Sequence, residues 1–178
     1  MKIYTRTGDD GTTGRYFGGR VAKDDPQIEL NGTVDEAQAF LGWSRSLTDP
    51  ASQVHQLIKD LQRDLWILMG EVATASAQRT KLTPGKDLVT AEMVSTLESV
   101  IDEWALVVGT ITEFIVPGET TLAASLDISR TVVRRAERQS FGALVSESLV
   151  PVYLNRLSDL LWTLARAVEG KSHQSNTK

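Results

Sequence analysis

The chain has 178 residues, of which 41% are hydrophobic, and a formal net charge of -4. This length suits one domain with its own hydrophobic core. The acidic balance argues against a protein that binds nucleic acid by neutralising many phosphates. The lack of cysteine excludes disulfides and thiolate metal sites.

The first residues, MKIYTRTGD, lack the apolar region of a signal peptide. No apolar run approaches the roughly 20 residues that a membrane-spanning helix needs. We therefore expect a cytoplasmic protein that has neither a membrane nor a nucleic-acid partner.

Residues 5–20, TRTGDDGTTGRYFGGR, contain five glycines, four threonines and three arginines. Ordering such a segment is costly because glycine loses the most backbone freedom on folding, and its composition fits a flexible leader as well as a binding segment. The threonines, however, alternate with glycines rather than with serine. Freed backbone amides beside hydroxyls and cations suit phosphate oxygens. The spacing matches neither the Walker pattern nor the dinucleotide fingerprint, so phosphate binding is a hypothesis here.

Five amphipathic runs follow at helical spacing, over residues 30–41, 54–72, 94–111, 121–141 and 148–168. Thr33 and Glu36 form a capping box at the start of the first run, and Pro151 fits the first turn of the fifth. The predicted fold is all-α, a five-helix bundle with the glycine-rich segment appended. We expect one domain over residues 1–170, made of a phosphate-binding segment (1–26) and the bundle (27–170), and a flexible tail over 171–178.

The predicted fourth helix carries Arg130, Arg134 and Arg138 at spacings of four residues, so that the three share one face. A solvated basic face is the favoured interpretation for an isolated helix. Against it, every basic residue of this stretch is arginine, which suits planar recognition of phosphate and carboxylate. Arg135 lies off this face, and we interpret it as a surface residue that pairs on the bundle.

Two further polar groups are open to two interpretations. On the fifth helix, Asn155, Ser158 and Asp159 share one face, either as a buried network that fixes the register of the helices or as a ligand contact. Asp35 and Glu36 either stabilise a helix start through its dipole or pair with an arginine across an interface.

Together these stretches resemble the successive motifs of the PduO-type ATP:cob(I)alamin adenosyltransferases. The matching segments are TRTGDDGTTG with Lys23 and Asp24, then NGTVDE, FIVPG, SRTVVRRAER and YLNRLSDLLW. The resemblance covers residues 4–169. It implies a five-helix bundle that assembles as a homotrimer with an active site at each subunit interface. It also implies transfer of the 5′-deoxyadenosyl group of ATP to the cobalt of cob(I)alamin, with release of triphosphate.

The resemblance further implies roles for individual residues. Three are candidates for catalysis: Arg130 pairs with Asp35 across the interface, and Phe114 lies under the corrin ring. The alternative for Phe114 is a hydrophobic plug at one end of the bundle. ATP would be bound, with Mg²⁺, by residues of the glycine-rich segment and of a neighbouring subunit: Thr5, Thr7, Gly8, Gly11, Thr12, Thr13, Lys23, Arg134, Glu137, Arg138 and Asn155. No metal ligand is assigned. The implied partners are a cobalamin reductase and an adenosylcobalamin-dependent enzyme.

The poverty of cysteine and histidine agrees with this chemistry, since cobalt(I) is itself the nucleophile. Three positions depart from the family pattern: Gln27 where arginine is common, Gln38 where asparagine is usual, and Glu119 where a second glycine follows the proline. Glu119 is the feature that favours one alternative, a non-catalytic, nucleotide-gated carrier of adenosylcobalamin. A second alternative is a helical assembly protein whose arginines and glycines serve only subunit contacts.

Overall fold

The computed structural model describes residues 3–111 and 114–170, and over these residues the chain is mostly helical. They contain five α-helices, α1 (Pro26–Ser46), α2 (Gln53–Val72), α3 (Ala91–Val108), α4 (Thr121–Ala143) and α5 (Val150–Glu169), and a 3-10 helix, Ser76–Lys81. The five predicted helices are thus confirmed. None of the helices in the described ranges is long and apolar enough to cross a membrane. The predicted tail at 171–178 lies outside the described residues.

The all-α prediction missed a small antiparallel sheet in the glycine-rich segment. Strands β1 (Thr12–Gly14) and β2 (Arg20–Ala22) pair with Thr12 opposite Ala22 and Gly14 opposite Arg20. Strands of three residues are too short to show the alternation by which a strand is recognised. Between them, Gly18 and Gly19 have φ values of 96° and 87°, a conformation that glycine adopts without steric cost.

The predicted capping box at the start of α1 is wrong. The carboxylate of Asp25 caps the helix by accepting a hydrogen bond of 2.9 Å from the amide of Gln27, and Pro26 occupies the first turn. Thr33 is buried inside α1, where its hydroxyl donates to the carbonyl one turn earlier. The pattern of apolar residues did not indicate this helix start, because the first turn of α1 is mostly polar.

Two other boundaries bear on the predictions. Helix α3 ends at Val108 rather than at residue 111, because Gly109 takes a φ of 71° and breaks the helical backbone. Helix α5 begins at Val150, two residues after the predicted start at Ser148, and it carries Pro151 in its first turn, as predicted.

Helix α5 forms the centre of the core. It packs against α3 and α4, while α1 packs against α2 and α4. Of its 20 residues, 12 are buried. The fully buried leucines of α5 are Leu154, Leu157, Leu160, Leu161 and Leu164. Truncating one such leucine to alanine typically costs about 2–5 kcal/mol, so this helix supplies much of the stability.

A hydrogen bond joins the first turn of α5 to α2. The hydroxyl of Tyr153 donates to Oδ2 of Asp64 over 2.8 Å. Burial raises the pKa of the Asp64 carboxyl, and burial with the neighbouring carboxylate raises the pKa of the Tyr153 hydroxyl well above its usual value. The phenol therefore keeps its proton and remains the donor.

Glu71, in the last turn of α2, is a buried carboxylate that ties together three segments distant in sequence. It accepts hydrogen bonds from Nη1 of Arg79 (2.6 Å), the amide of Val89 (2.8 Å) and the hydroxyl of Ser148 (2.7 Å). These donors lie in the 3-10 helix, in the loop before α3 and in the loop before α5. Glu71 thus fixes the end of α2, where the glycine-rich segment attaches.

Replacing Glu71 by alanine is expected to lower the free energy of unfolding by about 3–5 kcal/mol, because Arg79 loses its counter-charge and two further donors lose their acceptor. Urea unfolding measures the loss. Glu147 is exposed and gives a matched control, for which Glu147→Ala should change stability by less than about 0.5 kcal/mol. Equal losses for the two variants would contradict this role of Glu71.

Candidate functional site

The glycine-rich segment is attached to the rest of the chain by polar contacts. The amide of Tyr16 donates to the carbonyl of Ala73, just beyond α2, over 3.0 Å. Nη2 of Arg15 donates to Oδ2 of Asp25 over 3.2 Å. Tyr16 itself remains 45% exposed. Backbone hydrogen bonding, this ion pair and the Lys81 amine, which lies 5.8 Å from the centre of the Phe17 ring, hold the segment in place.

Lys23 lies directly over Gly8. A Cβ atom added at Gly8 would be 3.3 Å from Nζ of Lys23 and 3.0 Å from the carbonyl oxygen of Thr12, so that a larger residue would force one of them to move. The amide of Lys23 donates to the carbonyl of Gly11 over 2.9 Å. Within the described part of the chain, the Lys23 amine has no ion-pair partner. Gly8, Gly11 and Lys23 therefore form one compact corner, which carries the positive charge of the Lys23 amine.

Arg20 connects this corner to the threonines, although it was not among the site residues predicted from the sequence. Its Nε donates to Oγ1 of Thr12 over 2.9 Å, and its Nη2 donates to the carbonyl of Thr7 over 2.5 Å. The Thr12 hydroxyl donates to Asp10 over 2.7 Å. The hydrogen bond from the Thr12 hydroxyl, together with a weaker effect of the one from its amide, lowers the pKa of the Asp10 carboxyl. No sequence signal distinguished Arg20 from the other arginines of the segment.

The remaining threonines of the predicted site lie around this corner. The hydroxyls of Thr5 and Thr7 are 2.9 Å apart and hydrogen-bonded, and both residues are exposed. Thr13 is half-buried in β1, opposite Val21.

The arginines of α4 have different surroundings. Arg135 forms an ion pair with Glu36 on α1, which confirms Arg135 as a surface pair and gives Glu36 a partner in its own chain. Arg134 and Arg138 are exposed, and neither has a hydrogen bond or ion pair to any residue that the structure describes. Two guanidinium groups are therefore available for a ligand or another subunit.

Arg130, by contrast, is partly buried and already has one partner. Its Nε donates to Oδ1 of Asp127, one turn earlier on α4, over 3.0 Å. Asp35 is exposed on α1 and makes no ion pair within the described ranges. The predicted contact between Arg130 and Asp35 is one between subunits, so it stays a prediction.

Glu137 and Asn155 are brought together as a pair. Nδ2 of Asn155 donates to Oε1 of Glu137 over 2.9 Å, and Oδ1 of Asn155 accepts from Nη1 of Arg156 over 2.7 Å. The hydroxyl of Ser158 donates to the backbone carbonyl of Asn155, while Asp159 is exposed. The three polar residues of α5 are therefore not one buried network, and Asn155 instead links α5 to α4.

A cavity of about 350 Å³ lies beside Arg130; its walls are formed by Phe114, Ile115, Pro117, Asp127, Arg130, Trp162 and Arg166. Phe114 is 97% exposed, so it is not a plug in the core of its own chain. Asp127, Trp162 and Arg166 were not among the site residues predicted from the sequence. Arg166 could have been noticed as a charge within a helix that is otherwise rich in leucine.

The residues in the described ranges hold no group of three or more His, Asp or Glu side chains that could bind a metal ion. The expected Mg²⁺ is one that accompanies ATP, and it stays a prediction.

Comparison with known proteins places these features in a family. The cobalamin adenosyltransferase family matches residues 3–168. The corrinoid adenosyltransferase of Bacillus subtilis is 38% identical to the chain, over 97% of this chain and 89% of its own length. The corrinoid adenosyltransferase PduO of Salmonella typhimurium is also 38% identical, over 99% of this chain but 52% of its own length. The chain thus spans about half the length of that relative.

Solved structures of similar sequence have the same fold. A variant of a PduO-type ATP:corrinoid adenosyltransferase from Lactobacillus reuteri, complexed with cobalamin and ATP, superposes with a TM-score of 0.83 at 31% identity, covering 94% of this chain and 91% of its own. A second variant from that organism, complexed with ATP, gives a TM-score of 0.81 at 31% identity, covering 94% of each chain. Since the agreement in sequence and in fold extends over nearly all of its residues, this chain belongs to the cobalamin adenosyltransferase family.

Proposed function

We propose that the chain transfers the 5′-deoxyadenosyl group of ATP to the cobalt of cob(I)alamin, giving adenosylcobalamin and triphosphate. The observation that carries this proposal is the cavity of about 350 Å³ beside Arg130, bordered by the exposed ring of Phe114. The related enzyme from Lactobacillus reuteri, complexed with cobalamin and ATP, supports the same pair of substrates.

The glycine-rich corner would bind the triphosphate. The Lys23 amine lies against Gly8 and has no ion-pair partner in the described ranges, so it can meet phosphate oxygens without breaking a contact. Arg20 holds the Thr12 hydroxyl and the Thr7 carbonyl in place. Groups that are fixed before the substrate arrives stabilise developing charge without reorganising.

The exposed arginines of α4 would complete the nucleotide site from a neighbouring subunit. Arg134 and Arg138 make no hydrogen bond or ion pair within the described ranges, as expected of side chains whose partners are a ligand or another protomer. We therefore propose a homotrimer in which Arg134, Glu137 and Asn155 of one subunit and the glycine-rich segment of the next surround ATP. On the same proposal, Arg130 pairs with Asp35 across the interface.

The reaction requires alignment more than it requires a protein nucleophile. The electron pair of cobalt(I) forms the bond to C5′ of ATP, the bond between C5′ and its phosphate oxygen breaks, and triphosphate leaves with the electron pair of that broken C5′–O bond. The chain's tasks are to hold C5′ in line with cobalt and to stabilise the leaving charge. Mg²⁺ bound to ATP would neutralise part of this charge. We also propose that the protein works in the cytoplasm, with a reductase that supplies cob(I)alamin and an enzyme that uses the product.

The direct test incubates the protein with ATP, Mg²⁺ and chemically reduced cobalamin. A light-sensitive cobalt–carbon product, formed together with tripolyphosphate, is the expected result. Binding of ATP and adenosylcobalamin without turnover would indicate the carrier instead. An absence of ATP binding by calorimetry would indicate an assembly protein.

The position of Lys23 over Gly8 leads to a paired test. Gly8→Ala should raise the KM for ATP by about tenfold or more, because the new methyl group displaces the amine or the Thr12 carbonyl and weakens charge-assisted hydrogen bonds worth about 1.5–3 kcal/mol. Gly14→Ala is the control, since a Cβ there meets nothing within 4 Å. Steady-state kinetics with varied ATP measures both, and a similar KM for the two variants would refute the assignment of this corner to triphosphate.

The exposure of Phe114 leads to a second test. Phe114→Ala should leave the midpoint of thermal unfolding nearly unchanged, because the ring is 97% exposed in its own chain. A wall under the corrin would favour four-coordinate cobalt, which is easier to reduce. The rate from cob(II)alamin with a reductant should therefore fall much more than the rate from pre-reduced cob(I)alamin.

Phe141, 72% exposed on α4, provides the matched control for this substitution. Phe141→Ala should lower neither rate selectively. If Phe114→Ala lowers both rates equally, Phe114 does not act on the reduction step.

A further inference from the structure

Four residues of alternating charge form a row from the core to the cavity wall: Glu169, Arg166, Asp127 and Arg130. Nη2 of Arg166 donates to Oδ2 of Asp127 over 2.6 Å and to Oε1 of Glu169 over 2.9 Å. The other oxygen of Asp127 accepts from Nε of Arg130 over 3.0 Å. Three of these residues, Asp127, Arg130 and Arg166, line the cavity of about 350 Å³.

Exposure along the row decreases toward the core. The side chain of Arg130 is 24% exposed, that of Asp127 6% and that of Arg166 1%. Buried charges persist only when they are paired, so Arg166 is fixed between its two carboxylates and in turn fixes Asp127. Arg130 is therefore anchored at Nε by a carboxylate that has little freedom to move.

This anchor leaves the outer part of Arg130 available. For its two Nη groups we find no hydrogen bond to the residues in the described ranges. A guanidinium group is planar, so fixing Nε restricts the directions in which both Nη groups can donate. Asp127 thereby determines where Arg130 can form bonds.

We infer that Asp127 and Arg166 are positioning residues for the reaction, which hold the Arg130 guanidinium at the cavity wall so that its Nη groups bind without reorganising. This inference rests on the proposed adenosyl transfer. Arg130 is the most exposed of the three residues at the cavity wall, so it is the group that would touch the substrate or the neighbouring subunit, and the more deeply buried Asp127 and Arg166 act through it. Their loss should lower kcat more than it raises the KM for ATP, because the glycine-rich corner that would bind triphosphate is elsewhere in the chain.

If the row only joins α4 to α5, so that its role is purely structural, the variants should behave differently. Well-packed apolar residues often replace a buried ion pair without loss of stability, so joining two helices does not itself require these charges. A structural role would reduce the amount of folded enzyme and leave the turnover of each folded molecule unchanged. A positioning role would reduce turnover itself, and would do so only while Arg130 is present.

The test is a double-mutant cycle of Asp127→Asn and Arg130→Lys, assayed with ATP and pre-reduced cob(I)alamin. Asp127→Asn alone should lower kcat by about tenfold or more, the loss expected for one charge-assisted contact, and change the KM for ATP by less than about twofold. In the Arg130→Lys background the same substitution should change kcat by less than about twofold, since the group that it positions is already gone. Equal effects in the two backgrounds would overturn the inference.

Thermal unfolding of every variant, with rates expressed per folded protein, separates positioning from stability. The control variants are Asp102→Asn and Arg63→Lys, which make the same two kinds of substitution at exposed positions. Both controls should leave kcat unchanged. If Asp127→Asn does not fold, Arg166→Lys takes its place in the cycle, because lysine keeps the buried charge but lacks the planar set of donors. An unchanged kcat for Arg166→Lys in that cycle would overturn the inference.

The outcome also separates this inference from the proposed function. If the wild-type enzyme is active but the effects of the two substitutions on kcat are additive, the positioning role is contradicted and the proposed function is not. A wild-type protein that makes no adenosylcobalamin contradicts both.

Discussion

The burial of α5 is the constraint on which the rest of the molecule depends. Its leucines face other helices on several sides, with α3 and α4 as its main neighbours. A helix that is buried to this extent cannot contain a polar group without a partner, because an unpaired charge in the core costs several kcal/mol. The polar residues of α5 consequently dictate contacts elsewhere. Tyr153 binds Asp64 on α2, Asn155 binds Glu137 on α4, and Arg166 binds Asp127 on α4.

The glycine-rich segment has the opposite character, since most of its side chains remain outside the core. Its stability comes from a hairpin whose two strands have three residues each, from hydrogen bonds within the segment and from its attachment beyond α2 at Ala73. That attachment relies in turn on Glu71, the buried carboxylate that fixes the end of α2. A segment supported in this way keeps its amides, hydroxyls and Lys23 amine near the surface, which suits the binding of a highly charged ligand.

The two parts of the proposed site are thus held in place by different kinds of interaction. The nucleotide part depends on backbone geometry and on glycine, since a Cβ atom at Gly8 would crowd the Thr12 carbonyl and the Lys23 amine. The corrin part depends on packed helices and a buried row of charges that ends at Arg130. Two of the three departures from the family pattern, Gln27 and Gln38, contact other segments of the chain. Gln27 donates to the carbonyl of Thr74 over 3.3 Å, and the backbone carbonyl of Gln38 accepts from Gln62 over 3.2 Å, so both take part in ordinary contacts between segments.

The sequence by itself determined the helices and the family, because apolar spacing and ordered motifs are local properties of the chain. It indicated Lys23, Arg130 and Phe114 as residues of interest, but not their surroundings. The Asp25 cap of α1 is also local, although the apolar spacing alone did not show it. Only the tertiary structure decided that Arg20 joins Thr7 to Thr12. It also decided that Asp127 contacts Arg166, 39 residues further along the chain. Pairing of this kind depends on which faces of two packed helices meet, and that is set by the whole core rather than by the spacing of residues along either helix.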